Sequence, residues 1–304
     1  MRSLAAAVHV GQARPGSDVA RRSIPAAATV GPGYSFRMER YVIRGGEWGY
    51  QRLQVLARCW HPTTSALFDR VGLAPGMRCL DLGCGGGDMS FELARRVGPD
   101  GSVVGIDMDE VKLALAAEAA VKQGLDNLEF RAMNVYEWAE PGSYDIVYCR
   151  FLLQHLSRPV DVLRTMWQAV TVGGAIVVED ADFEGSFCDP PNPGFAFWVD
   201  AYQRVLERHG GDPQLGRKLH RLFPAAGIPE PAITLAQRTD STGENKTLPY
   251  STVSATAEAI VHEGIATAEE VQAALANLAD FAEDPASLCG SPRVFQAWSR
   301  RHRD

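Results

Sequence analysis

The sequence predicts an α/β fold, a mostly parallel sheet covered by helices on both faces. Three observations predict it. Between Met77 and Val178, short apolar runs alternate with longer amphipathic segments rich in Ala and Leu. Glycines punctuate the alternation, clustered between Gly83 and Gly87 and again at Gly98, Gly124 and Gly173-Gly174. The 304 residues are 46% hydrophobic and 22% charged, enough apolar material for one large domain or two small ones.

Taken in order, Arg78 to Leu82 reads as a short buried strand ending at glycines. Met89 to Val97 reads as a helix with Asp88 as N-cap and Gly98 as its stop. Ser102 to Ile106 is the second strand, after an Asp100-Gly101 turn, and Val111 to Gly124 the next helix. Leu128 to Met133 and Tyr144 to Cys149 are strands three and four, Val160 to Val170 a helix, and Ala175 to Glu179 strand five. Right-handed crossovers put all these strand C-termini on one edge, where ligands bind.

The flanks differ. Residues 1–37 mix Ala, Gly, Pro, Ser and Arg with a single acid, Asp18, and read as a disordered tail, with a transit peptide or a start at Met38 as alternatives. Residues 38–70 read as an N-terminal helical cap, because Trp48, Leu53, Leu56 and Trp60 group on one side of a helix. The reading then divides the chain into a core at 71–182, an insertion at 183–292 and a last strand with a basic tail at 293–304. Within the insertion, Phe195, Trp198, Tyr202, Val205 and Leu206 follow helical spacing. Asp212-Pro213 opens a second helix, Pro231 to Gln237 a sixth strand, and Thr267-Ala268-Glu269-Glu270 is a capping box for a helix to Phe281. Arg293 to Ser299 is the last strand, and Arg300-Arg301-His302-Arg303 a solvated tail.

Composition narrows the function. Thirty Lys and Arg against 37 Asp and Glu give a net charge of −7, which argues against a surface built for nucleic acid. No apolar run approaches the ~20 residues that span a bilayer. The six cysteines are scattered, with no metal-ligand spacing, so a cytoplasmic, reduced protein without a structural metal is expected.

The strongest signal is the loop Leu80-Asp81-Leu82-Gly83-Cys84-Gly85-Gly86-Gly87-Asp88. Glycines between a first strand and a helix let a ligand approach the backbone closely. A dinucleotide fingerprint needs G-x-G-x-x-G, but Asp88 stands at its last position, and the carboxylate of Asp81 would repel a pyrophosphate. An acid closing the second strand, Asp107, lies about 20 residues past the loop, the spacing of a ribose-binding carboxylate. A nucleoside with a cationic amino-acid tail and no phosphate fits both acids.

From Gly72 to Asp182 the sequence resembles the class I S-adenosylmethionine-dependent methyltransferases, in their small-molecule branch near the quinone-biosynthesis and natural-product enzymes. The resemblance implies a Rossmann-like seven-stranded sheet in the order 3-2-1-4-5-7-6. It implies that Asp81 faces the methionine amino group, that Gly83, Cys84, Gly85 and Gly87 bring backbone against the methionine portion, and that Asp107 holds the ribose. Met108 would pack on the adenine. Asn134, before Val135, stands where the family often has an Asp for the adenine amino group, and its side-chain carbonyl can accept the same bond. Cys149 and Arg150, in the exit segment that runs to His155, would lie beside the methionine and the acceptor.

Three candidates could move a proton in methyl transfer. His155 can act as base near neutral pH, or is a core histidine. Asp180 and Asp182 leave the fifth strand at the ligand edge and could serve as base, bind a cationic acceptor or cap the loop. Asp189-Pro190-Pro191-Asn192 lacks the aromatic fourth residue of the amino-methylating nucleic-acid motif and follows the wrong strand, so it reads as a loop. A small, largely apolar or aromatic acceptor is therefore expected, with no nucleic-acid or membrane partner and a homodimer left open. The alternatives are an RNA or protein methyltransferase, a cofactor-binding enzyme of rearrangement or cyclisation that transfers no methyl group, and a nicotinamide oxidoreductase, which Asp81 and Asp88 oppose.

Overall fold

The structure, a computed structural model, describes residues 46–303, so the readings of residues 1–45 lie outside it. The alternating core consists of α1 (Gly46–Arg70), β1 (Arg78–Leu82), α2 (Asp88–Val97), β2 (Ser102–Asp107), α3 (Glu110–Lys122), β3 (Leu128–Ala132), β4 (Tyr144–Arg150), α4 (Pro159–Ala169) and β5 (Val170–Asp182). After it come β6 (Phe187–Asp189), α5 (Pro193–Arg208), α6 (Leu215–Ala225), β7 (Ala232–Ala236), β8 (Thr239–Asp240), α7 (Leu248–His262), α8 (Ala268–Glu283), β9 (Leu288–Gly290) and β10 (Arg293–Arg300).

Seven strands form one sheet in the order β3-β2-β1-β4-β5-β10-β7. Numbered among themselves they run 3-2-1-4-5-7-6, the expected order, with the last strand antiparallel to both neighbours. The central strands β1, β2, β4 and β5 are buried on both faces, which is why they read as continuous apolar runs rather than alternating ones. Leu80, Val147 and Ile176 point toward α4 and α6, whose Leu163 and Leu219 are fully buried against them. Cys79, Ile146 and Val177 point the other way, toward Leu67 and Phe68 of α1 and Leu93 of α2.

Several elements depart from the sequence reading. Asp88 does not cap α2: Gly87 holds the N-cap position with φ 79°, and Asp88 is the first helical residue. Asp109 does cap α3, accepting the Lys112 N–H at 3.1 Å. Strand β5 runs past Glu179 to Asp182, because β10 supplies an antiparallel partner as far as Arg293 opposite Asp182. Arg300 and Arg301 are not a solvated tail. The Arg301 N–H donates to the Gly174 carbonyl at 2.9 Å and its guanidinium to Val170 O at 2.8 Å, so they extend the sheet.

The insertion is helical as expected, with Asn192 capping α5 through the Phe195 N–H at 2.9 Å and the Thr267–Glu270 capping box closed on α8. It also holds α7 and a three-stranded sheet, β6-β9-β8, that the sequence did not announce. Helices α5, α7 and α8 share a core around Phe195, Trp198, Val253, Ile260 and Leu278. Helix α1 bridges this cap and the sheet: Arg52 donates to Thr252 Oγ1 at 3.1 Å, and the Cys59 carbonyl accepts from Arg238 at 2.8 Å. Among the described residues no helix is long and apolar enough to cross a membrane.

Candidate functional site

The loop between β1 and α2 lies at the C-terminal edge of the sheet. Gly83, Gly85 and Gly87 adopt φ of 74°, 55° and 79°, conformations that other residues rarely take. The Gly83 and Cys84 N–H groups both donate to the Ile106 carbonyl, at 2.7 and 2.9 Å, which pins the loop to the end of β2. The next N–H, that of Gly85, donates to Asp107 Oδ2 at 2.9 Å, while Oδ1 accepts from Asp109 N at 3.0 Å. Each Asp107 oxygen thus keeps one lone pair for a ligand hydroxyl.

Asp81 lies under the loop, 2% exposed, accepting from Ser90 Oγ at 2.6 Å. Burial raises its pKa to about 6. The Ser90 bond and Arg150 oppose the rise, while Asp107 and Asp88 add to it. Asp88 is likewise raised to about 6 by burial, against Arg150 and Arg58. A carboxylate that must be ionised to hold an ammonium therefore loses affinity as pH falls through 6. S-adenosylhomocysteine is expected to bind about tenfold more weakly at pH 5 than at pH 7. Calorimetry across that range checks this, and a flat profile would count against a binding role for Asp81.

The other expected cofactor residues are placed less uniformly. Met108 is exposed just beyond β2. The Asn134 carbonyl accepts the Tyr136 N–H at 3.0 Å, so its side chain serves a turn and has one lone pair left for an adenine amino group. Val135 packs against the core. The side chain of Cys149 is fully buried on the α4 side, and burial pushes its thiol well up, so only its backbone faces the edge. Burial likewise holds the Cys84 thiol protonated, leaving its backbone as the loop's contribution. Arg150 donates to Thr64 Oγ1 of α1 at 3.1 Å and lies within electrostatic reach of Asp81 and Asp88.

The proton-transfer candidates sit in different surroundings. Asp182 is fully buried within β5, held by Arg217 at 2.6 and 2.7 Å and by Arg293 at 3.0 Å, so it has no free edge for a substrate proton. These contacts clamp the end of β5 to α6 and β10. Removing one partner of a buried ion pair costs about 3–5 kcal/mol, and the partly exposed arginines reduce this to roughly 2 kcal/mol. Asp182→Ala is expected to lower the melting temperature by about 4–8 °C. A thermal scan with no shift would contradict the clamp.

Asp180, also buried, accepts from the Gln154 N–H at 3.1 Å and the Ala181 N–H at 2.9 Å. Burial raises its pKa to about 7, but it faces the turn after β4 and fastens that turn to β5. Burial, with Arg52 and Lys112 nearby, drives His155 down to about 3, leaving it neutral and weakly basic.

Sequence reasoning missed Ser90, a lone serine on an apolar helix face, and although it expected an N-terminal helical cap it did not say which residues of α1 meet the loop. A Cβ on Gly85 would lie 2.9 Å from Leu53 Cδ1, and one on Gly86 3.3 Å from the Tyr50 ring. Only the three-dimensional path of α1 brings these together.

The fold, the glycine loop and the acid closing β2 define a nucleoside-binding Rossmann-like domain of the methyltransferase type. Residues 73–210 match the family described as methyltransferase domain. Over 110 residues the chain is 36% identical to the ubiquinone biosynthesis O-methyltransferase of Acinetobacter baumannii (strain ACICU), a stretch covering 36% of this chain and 45% of that protein. The chain thus matches under half the length of this relative. Among solved structures, a Bacillus halodurans protein described as a candidate methyltransferase shares the fold at TM-score 0.54 and 18% identity, over 79% of this chain and 98% of that one. The geranyl diphosphate C-methyltransferase of Streptomyces coelicolor does so at TM-score 0.50 and 15% identity, over 86% and 90%. Residues 73–210 thus carry a methyltransferase domain.

Proposed function

We propose that the protein transfers a methyl group from S-adenosylmethionine to an O, N or C atom of a small, largely apolar or aromatic acceptor. The observation that carries this reading is the coupling of Asp107 to Gly85, with Asp81 beneath the same loop. The donor set suits a phosphate-free nucleoside with a cationic tail, and the loop has room only where a Cβ is missing. A Cβ on Gly87, for instance, would lie 2.7 Å from the Phe130 ring.

Bound S-adenosylmethionine supplies the methyl group and its own leaving group. In this reading Asp81 holds the ammonium, Gly83, Cys84, Gly85 and Gly87 offer backbone to the methionine portion, and Asp107 holds the ribose hydroxyls. Arg150 balances the carboxylates around the tail, and Met108 and Asn134 border the adenine. The chain's part is orientation and exclusion of water, by α1 and the aromatic cap. With Asp180 and Asp182 engaged and His155 only weakly basic, the site suits a nucleophile that needs little help losing its proton, such as a phenol, a quinol or an unprotonated amine. The role of the Acinetobacter relative in ubiquinone biosynthesis supports starting with phenols.

The test is incubation with methyl-labelled S-adenosylmethionine and a panel of phenols, quinols and amines, reading labelled product and S-adenosylhomocysteine. Labelled product supports the reading. Tight cofactor binding without S-adenosylhomocysteine from any acceptor would favour the rearrangement or cyclisation alternative. Preferential binding of NADH would overturn both.

A further inference from the structure

We infer that Phe151, held in a left-handed backbone conformation at the exit of β4, presents its ring as the wall on which a planar aromatic acceptor stacks. This rests on the methyl-transfer reading above and names the acceptor class and the residue that selects it.

Among the described residues Phe151 is the one non-glycine residue with positive φ, at 54°. A bulky aromatic in that region is strained, and such strain persists only where the surroundings impose it. The constraints are visible on both sides. The Phe151 N–H donates to the Glu179 carbonyl at 2.9 Å, continuing the β4–β5 pairing. One residue on, Leu152 covers the glycine loop, where a Cβ on Gly83 would come within 2.9 Å of its Cδ1. One residue back, Arg150 faces the carboxylates of the cofactor loop. The left-handed turn directs the ring of Phe151 to the α1 and cap clusters while its neighbours stay on the loop.

The ring is held in place. Trp60 of α1 meets it edge-on at 5.9 Å between centroids and 73° between planes, and the Arg150 guanidinium carbon lies 5.6 Å from its centroid. Phe151 is only partly buried and packs against both the α1 cluster and the cap cluster. It therefore lies between the N-terminal helix and the cap, at the β4 exit whose next residue, Leu152, lies over the glycine loop. Ring-on-ring contact favours an aromatic acceptor over a saturated one of the same shape.

The experiment is calorimetric titration of the full chain, saturated with S-adenosylhomocysteine, with 1-naphthol and with decahydro-1-naphthol. The wild type is expected to prefer the aromatic alcohol by about tenfold. Phe151→Leu, which keeps apolar volume and backbone strain, and Phe151→Asn, which suits the left-handed region, should both lose that preference. Phe151→Tyr should keep it, and S-adenosylhomocysteine affinity should be unchanged in all variants that fold. If Leu does not fold, Asn carries the test. A preference that survives loss of the ring overturns the inference. So does a wild type that binds S-adenosylhomocysteine but discriminates between the alcohols in no way, and this outcome leaves the cofactor reading standing. Failure to bind S-adenosylhomocysteine overturns the cofactor reading itself.

Discussion

Gly85→Val is expected to abolish detectable S-adenosylhomocysteine binding while the protein still folds. Gly85 holds φ 55°, and a Cβ there would sit 2.9 Å from Leu53 Cδ1 of α1. Valine adds two methyl groups to that Cβ and resists the left-handed region more than most residues. The loop must shift, and with it the 2.9 Å bond from Gly85 N to Asp107, so the carboxylate proposed to hold the ribose loses its alignment. Strain of about 1–3 kcal/mol is tolerable against a domain stability of about 5–15 kcal/mol, and Leu53 can yield because it is the tip of a flexible side chain. Gly76→Val is the matched control. Its φ is 82°, nothing lies within 4 Å of its Cβ position, and it precedes β1, at the opposite end of that strand from the loop, with its N–H bonded to the Val97 carbonyl at 2.8 Å. That variant should lose similar stability and keep its ligand. Circular dichroism with calorimetry separates the two outcomes, and wild-type affinity in Gly85→Val would mean that the ligand does not use this loop.

What the sequence made legible was local or repetitive. The core strands are buried on both faces, so Leu80, Val147 and Ile176 sit in runs that need no partner to be recognised. The glycine loop and Asp107 are held by backbone bonds within one βαβ unit, and motif spacing encodes such bonds directly. Illegible features depend on distant partners. Asp182 looked free because nothing beside it in sequence announces Arg217 of α6 or Arg293 of β10. Nearly half of helix α7 is Ser, Thr and Ala, and it has little amphipathic period to detect. The strands β6, β8 and β9 are two or three residues long, too short for alternation to register. Phe151 could not be singled out at all, since its significance is a dihedral angle.

Asp107→Ala should weaken S-adenosylhomocysteine binding roughly ten- to a hundredfold, the scale of losing charge-assisted hydrogen bonds. Two losses combine. On the proposed reading the ribose hydroxyls lose their acceptor, and the Gly85 and Asp109 N–H groups, now bonded at 2.9 and 3.0 Å, lose the group that fixes the end of β2 against the loop. Because Asp107 is only partly buried, water can replace it at both N–H groups, and stability should change little. The location of the defect can be read with adenosine, which keeps the ribose and lacks the amino-acid tail. Asp107→Ala should weaken adenosine and S-adenosylhomocysteine by similar factors. Asp81→Ala should weaken S-adenosylhomocysteine and leave adenosine nearly untouched, because Asp81 is assigned to the ammonium alone. If both variants weakened adenosine equally, the two carboxylates would be acting only through the shape of the loop. If neither did, the ribose would have to be sought elsewhere along the edge of the sheet.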